Sequence, residues 1–356
     1  MVALLALPAG VRLSRSRTAQ PGSHTDAAVK VVLLGTGTPI PDPDRSGPAL
    51  AIVAGGESYL VDAGAGVVRR AVAAARRDSI PALRVAQLER VFLTHLHSDH
   101  TIGLADLILT PAIMHRKGPL EVWGPEGTQA MVTHILEAYR EDIRLRVYGL
   151  EHGNRAAYHV VVHEIEPGVV YRDSNVIVTA FPVHHGSWPE ALGYRFDAHG
   201  RTIVISGDEA PPLDTIVTYC DGCDVMVHEV YSAKGLARLP AADREYHTRF
   251  HTSGVELGEM AVRARPKLLV LTHMLFFGET AEEIAGEVRS RFPGRVAIGA
   301  DLDVYEAGAR TRSMRRAECY SWQRRTTASA SPTARSPCLS DGRLAMVIRP
   351  CASGSA

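Results

Sequence analysis

The heptapeptide Thr94-His95-Leu96-His97-Ser98-Asp99-His100 constrains this chain more than any other stretch. It follows a short apolar segment, 90–94, that reads as a strand. It leads into 101–114, which has helical spacing with Pro111 as a late kink or stop. Side chains alternate along extended backbone, so His95 and His97 point to one side, and the turn that follows aims Asp99 and His100 at a neighbouring position. Imidazole and carboxylate suit a borderline divalent cation. Four such groups within six residues exceed what one tetrahedral ion takes from a single loop. The segment therefore predicts two adjacent ions and a fold that brings further ligands to the same rim.

The remaining pattern offers such a rim. Residues 29–34 read as a buried strand closed by the turn cluster 35–39, and 49–53 with 58–62 as a hairpin around Gly55-Gly56. Residues 66–77 have helical spacing, 120–123 read as a strand, and 126–142 as one long amphipathic helix. Strands are predicted at 158–165, 175–183, 193–196, 202–206, 224–228, 267–272 and 296–299, with helices at 253–264 and 280–292. Each half places strands before helices and no linker separates the halves, which predicts two stacked sheets with helices on the outer faces. His185, Asp208 and His273 each follow an apolar strand, and Gly186 and Gly207 permit the tight turns needed there. His184 and His185 face opposite ways, and alternation alone does not choose between them.

Charge divides the chain. Residues 306–356 hold nine arginines against three acidic residues, and the preceding part is net acidic, without the basic face of a tight polyanion binder. The tail lacks periodicity and reads as a disordered Arg/Ser-rich segment, so the organisation is an extension at 1–28, a body at 29–305 and a tail at 306–356. No apolar run is long enough to span a membrane. The apolar start, 1–11, precedes Arg12, Arg15 and Arg17, the reverse of a secretory signal, which favours the cytoplasm and leaves periplasmic or secreted placement as the alternative. Cys220 and Cys223 form a single C-x-x-C, read as structural or incidental, with no disulfide framework indicated.

Several segments in this order resemble the metallo-β-lactamase superfamily, and within it the ribonuclease Z-like group. They are LLGTGTP (33–39), YLVDAG (59–64), FLTHLHSDHTIGL (92–104), VHHG (183–186), LGYRF (192–196), ISGD (205–208), VHE (227–229), HTS (251–253) and LTH (271–273), spanning about 29–305. The resemblance implies an α/β fold of the αββα four-layer sandwich type. It implies one zinc on His95, His97 and His185, a second on Asp99, His100 and His273, and Asp208 bridging both; Mn2+ or Fe2+ would suit the same N/O ligands. Two ions sharing a water lower its pKa toward ~7. By the same resemblance Glu229 orients His251, which donates a proton to the leaving oxygen, with His247 as the rival imidazole, and Asp99 orients or deprotonates the nucleophile. Asp62 is expected to brace the metal loop, the alternative being a turn cap.

Some features depart from that group. The long arm that grips tRNA in bacterial ribonuclease Z is replaced by the short DAHGRTIVISG between Phe196 and Asp208, and SGDEAP and HEVY stand where SGDTR and HEAT are usual. These departures resemble an armless, arylsulfatase-like branch. Trp188, Phe276 and Phe277 are expected to wall an apolar pocket for a small ester, ordinary packing being the alternative. The expectation is a dinuclear zinc hydrolase that cleaves phosphodiester or sulfate-ester bonds by metal-activated hydroxide, with a small ester favoured over tRNA. A tRNA 3′-processing endoribonuclease, a lactonase and a catalytically silent metal-binding scaffold are the alternatives. No membrane partner is expected, and a homodimer is left open.

Overall fold

Alternation along the first strand shows how the layers arise. In β1 (Lys30–Gly35), Val31 and Leu33 face one side, Val32 and Leu34 the other, and all four are buried. A strand buried on both faces must lie inside a stack. In the computed structural model, which describes residues 28–308, it does.

The first sheet orders Val304–Glu306 (β14), β1, Ala49–Ala54 (β2), Glu57–Val61 (β3), Arg90–Phe92 (β4), Leu120–Gly124 (β5) and Val160–Glu164 (β6). The second orders Val296–Ile298 (β13), Leu269–Leu275 (β12), Val225–Tyr231 (β11), Arg201–Ile205 (β10), Leu192–Ala198 (β9), Val176–Pro182 (β8) and Gly168–Arg172 (β7). Both sheets are antiparallel at one end and parallel at the other: β3 to β6 run parallel in the first, β10 to β13 in the second. The loops after β4, β10 and β12 leave the carboxyl ends of parallel strands, where ligand sites of open α/β sheets gather.

Three cores separate four layers. Val31, Tyr59, Phe92 and Trp123 meet Val178, Tyr194, Phe196 and Val227 between the sheets. Outside the first sheet lie α1 (Val67–Arg77), α2 (Ser98–Thr101), α3 (Leu104–Ile113), α4 (Thr128–Ala138) and α5 (Arg140–Tyr148), with Ala71, Leu104, Leu107 and Val132 among the buried contacts. Outside the second, α6 (Asp214–Cys220), α9 (Gly254–Ala264) and α10 (Ala281–Arg289) bury Ile216, Leu257 and Ile284 on Val204, Met226 and Leu271. Two further helices, α7 (Ala233–Leu236) and α8 (Ala241–Phe250), follow β11. This is the αββα sandwich that the pattern of strands and helices predicts.

The inter-sheet core also fixes the start of the histidine loop. Phe92 stacks on Trp123 at 4.7 Å and meets Tyr194 and Phe196 edge-on, each pair contributing about 0.5–1.5 kcal/mol beyond burial. The Tyr194 hydroxyl then donates to the Leu93 carbonyl at 2.7 Å, one residue before the loop begins.

Several elements differ from the sequence reading. The helix expected over 126–142 is two helices, α4 and α5, broken at Tyr139, whose φ of −102° and ψ of 13° leave the helical region. Helices α6 and α8 and strand β7 are not predicted. No residue of α8 is fully buried, so it has no apolar stripe to read. The last strand carries the sandwich to Glu306, paired with Lys30, one residue past the expected boundary. Cys220 and Cys223, at the end of α6, are joined as a local disulfide, with Cα atoms 4.8 Å apart. The extension 1–27 and the tail from 309 onward lie outside the described residues.

Candidate metal centre

Asp62 anchors the loop after β4 from below. Its Oδ1 accepts the Thr94 amide at 2.8 Å, the Thr94 hydroxyl lies 3.0–3.1 Å from both carboxylate oxygens, and Oδ2 is 2.8 Å from His100 Nδ1. A carboxylate can only accept, so His100 carries a proton on Nδ1 and turns Nε2 toward Asp99 and Asp208. Asp62 holds a left-handed φ of 61°, unusual for a side chain with Cβ and a form of strain that concentrates at functional sites. Asp62 is thus bonded to both ends of the loop.

Three imidazoles converge at the front of that loop. His97 Nδ1 is 2.9 Å from His95 Nε2 and 3.1 Å from His185 Nε2. His185 Nδ1 donates to the Phe250 carbonyl at 2.7 Å, which leaves Nε2 as the donor atom toward the cluster. The neighbour His184 is exposed and bridges to Ala210 through its backbone, so of the two histidines it is His185 whose ring lies in the cluster. Burial depresses all three: His95 well below the ordinary imidazole range, His97 below it, and His185 to about 4.

A second group lies behind. Asp99 Oδ2 is 3.3 Å from His273 Nε2 and 3.6 Å from His100 Nε2. His273 lies within β12 rather than after it, at a positive φ of 43°, beside the register shift at Glu229/Val230. Asp208 stands between the groups, with Oδ1 3.4 Å from His100 Nε2 and Oδ2 3.7 Å from His273, 3.8 Å from His185 and 4.0 Å from His95. Here burial is overruled by opposite charge. It would lower His100 and His273, yet Asp208, with Asp62 and Asp99 respectively, raises both. It would raise Asp208, yet His273 and His100 hold that carboxyl well below the usual range.

The donor set fits divalent cations. His95, His97, His185 and Asp208 each offer one ligand atom within 4.8 Å of the others, as do Asp99, His100 and His273. Buried His100 Nε2 and Asp208 Oδ1 face each other at 3.4 Å without hydrogen-bond geometry, so both keep capacity for a further partner.

The remaining expected residues divide. Glu229 is buried rather than at a surface. Its Oε1 accepts the Thr252 amide at 2.8 Å, and its Oε2 lies 3.5 Å from His251 Nδ1. His251 Nδ1 is also 3.9 Å from Asp208 Oδ2, whereas the ring of its rival His247 lies 6.0 Å from that of His251. Burial lowers His251 to about 4 and, with Asp208 nearby, raises Glu229. Trp188 is at the centre, its indole nitrogen 2.6 Å from His97 Nε2. The two phenylalanines diverge: Phe276 packs on the core beneath α9 and α10 with the Arg45 guanidinium 5.2 Å over its ring, and Phe277 meets His247 and Tyr231.

Sequence reasoning missed two features. Phe250 packs 5.1 Å from His185, and only its place just before His251 could have drawn attention to it. Glu209 and His228, both fully buried, approach to 3.4 Å behind Asp208 and Glu229; the unusual glutamate after SGD was their one trace.

A model of the Beta-lactamase superfamily domain matches residues 57–274. A ribonuclease Z of Mycobacterium marinum is 33% identical over 290 residues, covering 79% of this chain and 100% of the relative. The chain belongs to the beta-lactamase superfamily, in its ribonuclease Z group. It is a metal-dependent hydrolase of ester bonds. Among solved structures, the metallo-beta-lactamase fold protein YhfI from Bacillus subtilis aligns with a TM-score of 0.60 at 18% identity, over 79% of this chain and 99% of its own. Human tRNase Z, short form, aligns with a TM-score of 0.58 at 24% identity, over 79% and 100%. In this chain β9 and β10 are joined by His199-Gly200 alone, a two-residue hairpin. No helix among the described residues is long and apolar enough to cross a membrane.

Proposed function

We propose that this chain is an endoribonuclease of the ribonuclease Z kind, which hydrolyses a phosphodiester near the 3′ end of precursor tRNA in the cytoplasm. The supporting observation is a seven-donor cluster with a shared carboxylate in a chain that is 33% identical to a ribonuclease Z over that relative's whole length. This reverses the preference for a small ester, which rested on the missing arm and the acidic body.

In this reading His95, His97 and His185 would hold one divalent cation and Asp99, His100 and His273 another, with Asp208 within reach of both sets; zinc would be the first choice, with manganese and iron(II) behind it. Bound there, the pair supplies Lewis acidity and a nucleophile available at neutral pH. The protein does the rest. Asp62 keeps His100 in the tautomer that presents Nε2, and the Phe250 carbonyl does the same for His185. Asp99 takes up the proton of the attacking water. Glu229 faces His251 Nδ1, so Nε2 of that ring is the nitrogen left to protonate the departing oxygen.

A second reading keeps the small aryl phosphodiester or sulfate ester, and the two-residue hairpin between β9 and β10 is its support. The zinc-loaded full chain should be assayed on precursor tRNA, an aryl phosphodiester, an aryl sulfate and a lactone. Cleavage of the tRNA at its 3′ side is the expected result. Turnover of only the sulfate or the lactone would overturn the ribonuclease reading, and no turnover of any of them would revive the silent scaffold.

A further inference from the structure

Helix α8 buries no residue fully, yet it carries three rings in its last five positions: Tyr246, His247 and Phe250. Tyr246 and Phe250, four apart and so on one face, stack at 4.4 Å with planes 26° apart. Phe250 continues inward to His185, and it lies within 25° of parallel to His97 at 6.4 Å. Rings therefore run without a gap from the centre's imidazoles to Tyr246, which is 48% exposed. Gly186 allows this closeness, because a Cβ there would stand 2.2 Å from the Phe250 ring.

The Tyr246 ring has Phe250 stacked against it and the His247 ring edge-on at 5.0 Å, and the rest of its surface faces solvent. Its i,i+4 partner limits the rotamers it can adopt, so little freedom is lost when another ring settles on it. Because the row begins at the metal ligands, the group that reaches it is whatever is attached to the ester held there. On the ribonuclease reading, on which this inference rests, that group is a nucleobase, and every base offers a π-face.

We propose that Tyr246, backed by Phe250, is a stacking step for the base adjoining the scissile phosphodiester in a single-stranded RNA segment. Neither residue touches the reacting atoms; both set the lie of the strand and its affinity.

The test uses the zinc-loaded full chain and a short RNA carrying 2-aminopurine next to the junction, with a matched RNA that is abasic at that position. Stacking quenches 2-aminopurine, so binding should darken it. Tyr246→Ala should weaken binding of the base-containing RNA about 5- to 100-fold and abolish the quench, leave the abasic RNA unchanged, and be rescued by Tyr246→Phe. Thermal melting of each variant checks that it folds. Equal affinity of the wild-type protein for the two RNAs, an equal loss on both in Tyr246→Ala, or no quench overturns the stacking step. RNA that binds and quenches but is never cut overturns the ribonuclease reading instead, and RNA that is cut without regard to the base or to Tyr246 overturns only the stacking step.

Discussion

The two corners of the centre use the same side-chain types in opposite electrostatic settings. At the corner of His95, His97 and His185, burial keeps the imidazoles neutral, and one orienting bond is to a backbone carbonyl. At the corner of His100 and His273, carboxylates surround the rings and favour their charged forms. The first corner offers lone pairs that are already free; the second is a charge-compensated nest whose positive members a cation would replace. Position rather than ligand type decides which imidazole is a ready donor. Asp208 belongs to both and should dominate any perturbation.

Removing that shared carboxylate is the harshest test. Asp208→Asn should lower kcat/KM by about 1,000-fold or more, with metal content by elemental analysis falling below one ion per chain. Retention of two ions would show that the corners stand independently. Separating the corners is the next step. His97→Ala and Asp99→Asn should each reduce metal from about two ions to about one, and each should leave the ligands of the other corner intact. If either single change emptied both, the division would be wrong. Asp62→Asn should be milder, costing about 10- to 100-fold in metal affinity or activity and falling on the His100 corner first, as a titration of metal content would show. Smallest of all is Ser253→Ala. Ser253 caps α9 two residues beyond His251 through a complete capping box with Glu256, so denaturant unfolding should show a loss of about 1 kcal/mol in stability with metal content unchanged.

Much of the centre was legible because ligand chemistry is local. His95 to His100 announce themselves by type and spacing, and Asp208 and His273 by following apolar runs. His185 was not separable from His184 by alternation, since what decides it is a hydrogen bond to a carbonyl 65 positions away. Phe250 stayed hidden because α8 shows no apolar periodicity, and the break at Tyr139 left no Gly or Pro to mark it. Phe276 and Phe277 carry no directional signal in the sequence, and on this loop the adjacent rings leave in different directions, Phe276 onto the core and Phe277 onto His247 and Tyr231. The sandwich itself was readable from strand order, whereas β7 has no fully buried residue, only the half-buried Val170 and Tyr171 against the core, and so offered a weak alternation.

The donors are strung along the chain from His95 to His273, first from one sheet and then from the other. A ribosome delivers them in that order, so a nascent chain shows its histidine loop to the cell long before Asp208 and His273 emerge to complete the two ligand sets. Until then only an incomplete set of ligands is on offer, and final, tight loading must wait for nearly the whole body to be synthesised. Occupancy by two ions would then certify that the two sheets have found one another.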